Sequence, residues 1–202
     1  MYTELLDRIF KNRKGNILGN YKKSAVMLLI CEVNGVECII YEQRSLSLRH
    51  QPGDVCFPGG RIEEGESPKE AAIREATEEL GIKEEDIEYL GEMDYFISPY
   101  GAIMYPFVGR LKSLKLQPNE KEVKELFMVP IEYFMVNEPM VHEVSIIPQI
   151  KEDFPYDMIY GGKGYKFAKG KMNQYFYSYQ GHNIWGFTAL ITKSFIELLK
   201  SN

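Results

Sequence analysis

The sequence has little of what marks secreted or membrane-spanning proteins. It contains three cysteines, an odd number, each in an apolar, strand-like stretch, so we expect reduced core thiols rather than disulfides. The longest plain apolar run, residues 25–31, is far shorter than the roughly 20 residues that a membrane-spanning helix needs. The first residues are charged and lack an apolar signal core. We therefore expect a cytoplasmic protein without a membrane partner.

Basic residues are too few for a general nucleic-acid-binding surface. The 24 Lys and Arg residues are outnumbered by 29 Asp and Glu residues, which gives a net charge of −5. Sequence-independent binding to nucleic acid depends on a surplus of positive charge, so we expect no nucleic-acid partner. Any phosphate-bearing ligand must then meet local cations.

The remaining composition is that of an ordinary globular protein. Hydrophobic residues make up 45% of the chain, and at about 150 residues per domain its length corresponds to one domain with an extension. Apolar residues at helical spacing predict an amphipathic helix over residues 2–13. We assign residues 1–20 to this helix and a linker, and residues 21–202 to a single domain.

Local signals predict a succession of strands and helices. Asn34-Gly35 lies between two apolar stretches and predicts a β-hairpin, because both residues tolerate a positive φ. Ser67 and Pro68 predict the start of a central helix, and Gly81 predicts its end. Further apolar stretches predict strands at 55–57 and near 87–96, 103–111 and 125–129, and helices over 130–136 and 185–200.

Two stretches are harder to place. The strand at 55–57 is predicted to break at Pro58-Gly59-Gly60. Residues 138–182 contain several glycines and scattered tyrosines, which predict long loops with one or two short strands, and such loops often contact substrates. The overall order of elements predicts the α+β class.

Three glutamates of the central helix, Glu75, Glu78 and Glu79, are spaced in a way that core packing does not require. Their i, i+3, i+4 spacing predicts that they share one helix face, opposite the apolar residues. Like charges at this spacing repel by about 0.2–0.5 kcal/mol per pair, and a hard divalent cation would relieve the repulsion. The alternative is an acidic face open to solvent and neutralised by Arg74 and Lys83.

The surrounding residues favour the cation. They form the pattern Gly60-x5-Glu66-x7-Arg74-Glu75-Ala76-x-Glu78-Glu79-x-Gly81-Ile82, which resembles the Nudix hydrolase box at every defined position. The resemblance implies a Nudix fold, in which a mixed β-sheet is sandwiched between α-helices (an α/β/α sandwich). It also implies an enzyme that hydrolyses a nucleoside diphosphate linked to another moiety, using Mg²⁺ or Mn²⁺.

The same resemblance implies roles for individual residues. Glu75, Glu78 and Glu79 would bind the metal, and one of them would help to deprotonate the attacking water. Glu66 and Arg74 would form a salt-bridged brace of the catalytic loop and helix. Gly60 and Gly81 would permit the backbone conformations that the motif needs.

The segment before the box, RSLSLRHQPGDVCFPGG over residues 44–60, resembles the additional signature of the coenzyme A pyrophosphatase branch. The resemblance implies cleavage of coenzyme A, or its acyl or oxidised derivatives, to 3′,5′-ADP and (acyl-)phosphopantetheine. Arg44 and Arg49 can offer forked donors to substrate phosphates. Gln51 stands where the branch has a histidine. The predicted substrate-binding residues are Arg44, Arg49, Gln51, Gly59 and Gly60.

Several alternatives remain open from the sequence. Gln51 leaves room for another nucleotide substrate, such as ADP-ribose or a dinucleoside polyphosphate, and a Nudix-fold sensor would bind a nucleotide without hydrolysing it. Glu120 or Glu122 is either a remote general base or part of a solvated charge cluster. The N-terminal helix and residues 138–182 would line either a homodimer interface or the substrate channel.

Overall fold

The computed structural model describes residues 2–201 and contains four α-helices and eleven strands in that range. The helices are α1 (Tyr2–Phe10), α2 (Pro68–Leu80), α3 (Ile131–Val136) and α4 (Gly186–Lys200). The strands are β1 (Lys22–Val33), β2 (Val36–Arg44), β3 (Val55–Cys56), β4 (Gly59–Arg61), β5 (Ile87–Glu92), β6 (Phe96–Ser98), β7 (Ala102–Leu111), β8 (Val123–Pro130), β9 (Met140–Ile146), β10 (Gly170–Tyr179) and β11 (His182–Trp185). Within the described range, every helix is too short or too polar to cross a membrane.

Strands β1 to β8 form one mixed sheet. Its main order is β3-β2-β1-β7-β5, and β4, β6 and β8 pair with β1, β7 and β2. Strand β1 runs parallel to β7 and antiparallel to β2. The predicted hairpin between β1 and β2 is confirmed, with Asn34 and Gly35 at φ values of 52° and 82°.

The central strand β1 is buried on both faces. Ala25, Met27 and Leu29 pack with the buried alanines of α2, whereas Val26 and Leu28 pack with apolar residues of α3 and α4. A strand covered on both sides needs apolar residues at consecutive positions, which is why residues 25–31 form the longest apolar run. The predicted sheet between helices is therefore confirmed.

Two strand predictions need correction. The strand predicted at 55–57 ends before Pro58 as predicted, but Gly59 and Gly60 do not continue the break, because Gly59–Arg61 forms strand β4, which pairs antiparallel with β1. Within residues 138–182, the structure has two strands as predicted, but β10 has ten residues, and it pairs with β9 and with β11 in a second sheet. Strand β9 is almost entirely exposed, so it has no buried alternation that would mark it in the sequence.

The helix that carries the glutamates is capped as predicted. The Ser67 side chain accepts a hydrogen bond from the Glu70 N–H, and the Glu70 side chain accepts one from the Ser67 N–H. This capping box satisfies two donors at the helix start. At the other end, Gly81 adopts the left-handed conformation (φ 61°) and donates its N–H to the Thr77 carbonyl.

The close approach at Gly81 predicts a specific stability difference. An added Cβ at Gly81 would lie 2.0 Å from the carbonyl oxygen of Gln117, whereas one at Gly65, which also has a positive φ, would meet nothing within 4 Å. We expect Gly65→Ala to lower the free energy of unfolding by about 1–2 kcal/mol through backbone strain alone. Gly81→Ala should cost at least about 1 kcal/mol more. Urea denaturation measures both, and equal losses would contradict this packing.

Candidate active site

Arg74 connects the middle of α2 to the loop that precedes it. Its Nε lies 2.8 Å from Glu66 Oε1 and its Nη2 lies 3.2 Å from Glu66 Oε2, while Nη2 also donates to the Arg61 carbonyl. These paired hydrogen bonds hold the pKa of Glu66 below its usual range. The salt bridge that the sequence motif implied is therefore present, and it fixes the loop between β4 and α2.

The three helix glutamates extend from solvent into the interior. The Glu78 side chain is 58% exposed and lies 3.4 Å from Arg74 Nη1, while Glu75 is more buried and lies 3.0 Å from the same nitrogen. Glu79 is only 4% exposed. The helical spacing of the three glutamates is as predicted, since all three lie in α2, but Glu79 is not open to solvent, because β4 covers it and the Gly59 N–H donates to its carboxylate.

Gly59 and Gly60 allow this crossing. A Cβ at Gly59 would lie 2.4 Å from the Ala25 carbonyl oxygen, and one at Gly60 would lie 2.4 Å from the Glu75 carboxylate. The Gly59 N–H donates to Glu79 Oε2 over 2.8 Å. Both glycines thus contact the carboxylates directly, and their binding of substrate stays a prediction.

Two further carboxylates lie near the helix glutamates. Glu42, on β2, is completely buried, and its Oε1 accepts a hydrogen bond of 3.1 Å from the Cys56 thiol. Sequence reasoning missed this residue, although a glutamate directly after the apolar run of β2 was a signal. Burial is the largest cause that raises the pKa values of Glu42, Glu75 and Glu79, and the charge of the exposed Glu122 adds a smaller contribution to each. Glu120 is exposed in the same turn.

The shared environment shifts the acidity of these groups strongly. Burial raises the pKa of Glu79 to about 9, with a further contribution from the charge of Glu42, against the opposing hydrogen bond from Gly59. Burial likewise raises the pKa of Glu42 to about 7, and the Cys56 hydrogen bond opposes that rise. Crowded carboxylates in a dry space disfavour their own ionisation. A bound cation would remove this penalty.

The donor set fits a hard divalent cation. Carboxylate oxygens are the ligands that Mg²⁺ and Mn²⁺ prefer, and Glu42 Oε2 is buried without a hydrogen-bond partner among the described residues. Across residues 2–201, no group of three acidic, His or Cys side chains is already positioned as a metal site. Binding would therefore require side-chain adjustment of the exposed Glu78 and the partly buried Glu75.

A cavity of about 500 Å³ lies beside Cys56, and none of the glutamates described above lines it. Arg44, Gln51 and Cys56 line it, and Cys56 is the residue that donates to Glu42. Arg44 Nε is buried and has no hydrogen-bond partner in the described range. Arg49, by contrast, is exposed on the loop surface. The remaining wall is largely apolar and includes the aromatic side chains of Tyr100, Trp185 and Phe187.

The raised pKa of Glu79 predicts how stability depends on pH. Its value of about 9 in the folded protein, against an ordinary 4.5, means that the folded state holds a proton that the unfolded chain releases. Without metal, the free energy of unfolding should therefore fall as pH rises from about 5 to about 9. Urea denaturation in the presence of a chelator measures this slope.

Glu79→Gln should make the slope shallower, since the amide does not titrate, and the slope that remains should come from Glu42, whose pKa is raised to about 7 mainly by burial. Glu64→Gln, at an exposed position of the neighbouring loop, is the matched control and should retain it. A stability that stays constant or increases over this pH interval in the unsubstituted protein would contradict the electrostatic description.

Comparison with known proteins agrees with this geometry. Residues 21–146 match the model of the NUDIX domain. The chain is 34% identical over 134 residues to the peroxisomal coenzyme A diphosphatase NUDT7 of Mus musculus, covering 65% of this chain and 56% of that protein. It is 30% identical over 186 residues to the mitochondrial coenzyme A diphosphatase NUDT8 of Homo sapiens, covering 87% of this chain and 69% of that protein. The chain thus spans little more than half of the first relative.

A solved structure supports the fold independently. The crystal structure of a MutT/nudix family protein from Enterococcus faecalis matches with a TM-score of 0.53 and 15% identity, over 99% of this chain and 70% of that one. The predicted Nudix fold is confirmed, as is the resemblance to proteins named coenzyme A diphosphatases. From the matched domain and the braced helix, we conclude that this chain belongs to the Nudix hydrolase family.

Proposed function

We propose that the protein hydrolyses the diphosphate bond of coenzyme A, or of its acyl or oxidised derivatives, to 3′,5′-ADP and (acyl-)phosphopantetheine. The observation that carries the proposal is the position of the cavity, whose wall shares Arg44 and Cys56 with the surroundings of the buried carboxylates. The signature over residues 44–60 and the names of the two mammalian relatives support the same substrate.

The carboxylates and the arginines have separate roles in this proposal. Glu75, Glu78 and Glu79 hold a divalent cation, either Mg²⁺ or Mn²⁺. When bound, such a cation neutralises charge on the diphosphate and makes a nearby water more acidic. Arg74 keeps the glutamates in place through its bonds to Glu66. Arg44 lines the cavity, and its guanidinium group donates to a substrate phosphate.

The proton of the attacking water needs an acceptor. We place Glu122 in this role rather than Glu120, because the charge of Glu122 acts on Glu42, Glu75 and Glu79. The backbone holds it there, since the Asn119 N–H donates to the Glu79 carbonyl and the Ser45 N–H donates to the Glu122 carbonyl. Water oxygen attacks one phosphorus, the bridging P–O bond breaks, and the leaving phosphate keeps the bonding electron pair.

The cavity provides room for the organic part of the substrate. Its apolar and aromatic wall can cover a base or an acyl-pantetheine chain, as in most small-molecule sites. Gln51 lines the cavity in a left-handed conformation (φ 49°). Its amide replaces the imidazole of the related signature and so affects how tightly the substrate is held rather than the chemistry at phosphorus.

The substrate assignment is tested by identifying products. Incubation with Mg²⁺ and a panel of coenzyme A, acyl-coenzyme A, ADP-ribose and a dinucleoside polyphosphate, followed by mass spectrometry, should yield 3′,5′-ADP from the coenzyme A species. Rapid cleavage of ADP-ribose without any 3′,5′-ADP would reject the proposal. Saturable binding of a nucleotide with no product would instead indicate a sensor.

The role of the helix glutamates is tested by a charge-neutral substitution. Glu78→Gln keeps the shape of an exposed side chain, so the fold should survive, while the hydrolysis rate should fall by at least about 100-fold. Glu64→Gln, at an exposed position of the neighbouring loop, should retain the rate. A chelator should abolish activity and added Mg²⁺ or Mn²⁺ should restore it. Full activity of Glu78→Gln would remove this residue from the proposed site.

A further inference from the structure

Glu42 is a buried charge that the Nudix motif does not explain. It lies on β2, outside the motif, and its side chain has no exposure to solvent. A carboxylate in the interior is stable only if it is paired or neutral. An ionised Glu42 therefore needs a partner in the interior.

One of its oxygens has a partner and the other does not. Oε1 accepts the hydrogen bond from the Cys56 thiol, whereas Oε2 is buried and has no hydrogen-bond partner among residues 2–201. The neighbouring cation does not fill this role, because Arg44 Nε is likewise buried without a hydrogen bond. The carboxylate thus has a free oxygen in a place that water does not reach.

This side chain lies next to the helix glutamates. The β2–β3 pairing sets Glu42 opposite Cys56, and three residues later the Gly59 N–H holds Glu79 Oε2. The charges of Glu42 and Glu79 also lie close enough to act on each other, and those of Glu75 and Glu122 act on both. Glu42 therefore belongs to the same cluster, which it reaches from the sheet side.

We propose that Glu42 is an additional ligand of the divalent cation, which it binds through Oε2 while Oε1 remains hydrogen-bonded to the Cys56 thiol. This inference rests on the cation site of the proposed function. Glu42 would give the cation one ligand on strand β2, whereas the motif's own ligands all come from helix α2. It also sets the cation beside the cavity wall formed by Cys56 and Arg44.

Manganese binding to the full chain tests the proposal without measuring turnover. Free Mn²⁺ is followed by electron paramagnetic resonance during titration of the protein. We expect Glu42→Gln, which can still accept the Cys56 hydrogen bond, to raise the Kd for Mn²⁺ at least tenfold. Glu37→Gln makes the same charge change at an exposed position of the same strand and should leave the Kd unchanged. Equal affinity of Glu42→Gln and the unsubstituted protein would overturn the proposal.

A second variant separates direct binding from a distant effect of charge. Glu42→Asp retains the charge but shortens the side chain by one methylene group. Strand β2 is paired on both sides and cannot move to bring the carboxylate back to its position. A ligand role predicts weaker Mn²⁺ binding for this variant too, whereas unchanged affinity would show that only charge matters and would overturn the proposal. If Glu42→Gln does not fold, as judged by circular dichroism, Glu42→Asp decides alone.

The readout also distinguishes this inference from the substrate assignment. A protein that binds Mn²⁺ through Glu42 but leaves coenzyme A intact would refute only the proposed substrate. A protein with no Mn²⁺ affinity at all would overturn the ligand role of Glu42.

Discussion

The burial of acidic side chains beside β1 is the constraint on which the rest of the structure depends. Glu79 lies almost entirely out of solvent and is held by the Gly59 N–H, with Glu42 close by on the sheet side. Burial of carboxylates opposes folding unless something offsets it. A divalent cation that binds the folded state but not the unfolded chain would add stability that grows with the logarithm of its concentration. In this protein, the electrostatic cost of the site and its proposed capacity to bind metal have the same origin.

Three features of the fold position the acidic side chains of α2. Helix α2 packs its small apolar residues against one face of β1, which brings its acidic residues to the β4 crossing. Only glycine fits at the crossing, because a Cβ at Gly59 would meet the backbone of β1 and a Cβ at Gly60 would meet the Glu75 carboxylate. The Arg74–Glu66 pair then fixes the loop from the solvent side. These contacts hold Glu79 and the backbone of α2 in place, whereas the side chains of Glu75 and Glu78 would still have to adjust to bind a cation.

Local signals were sufficient to predict the elements that local chemistry determines. The Asn34-Gly35 turn and the Ser67 and Gly81 caps each depend on the conformational freedom or hydrogen bonding of a few adjacent residues, and each was found as predicted. Strand β4 was missed because glycines disfavour strands unless a distant backbone approaches closely, as β1 does here. Its existence depends on tertiary packing.

The candidate site, like the fold, could be predicted from the sequence only where residues close together in the chain determine it. The helix spacing and the motif brought out Glu75, Glu78 and Glu79, but the depth at which each lies depends on the chain that crosses above them. Glu42 joins the cluster only through the pairing of β2 with β3, which sets it beside Cys56 across a connecting loop that local spacing does not predict. The proposal that the helix glutamates bind a divalent cation is tested most directly by a crystal structure of the protein soaked in Mn²⁺. We expect anomalous density between the carboxylates of Glu75, Glu78 and Glu79, whereas glutamates that stay apart with no density between them would contradict the proposed metal site.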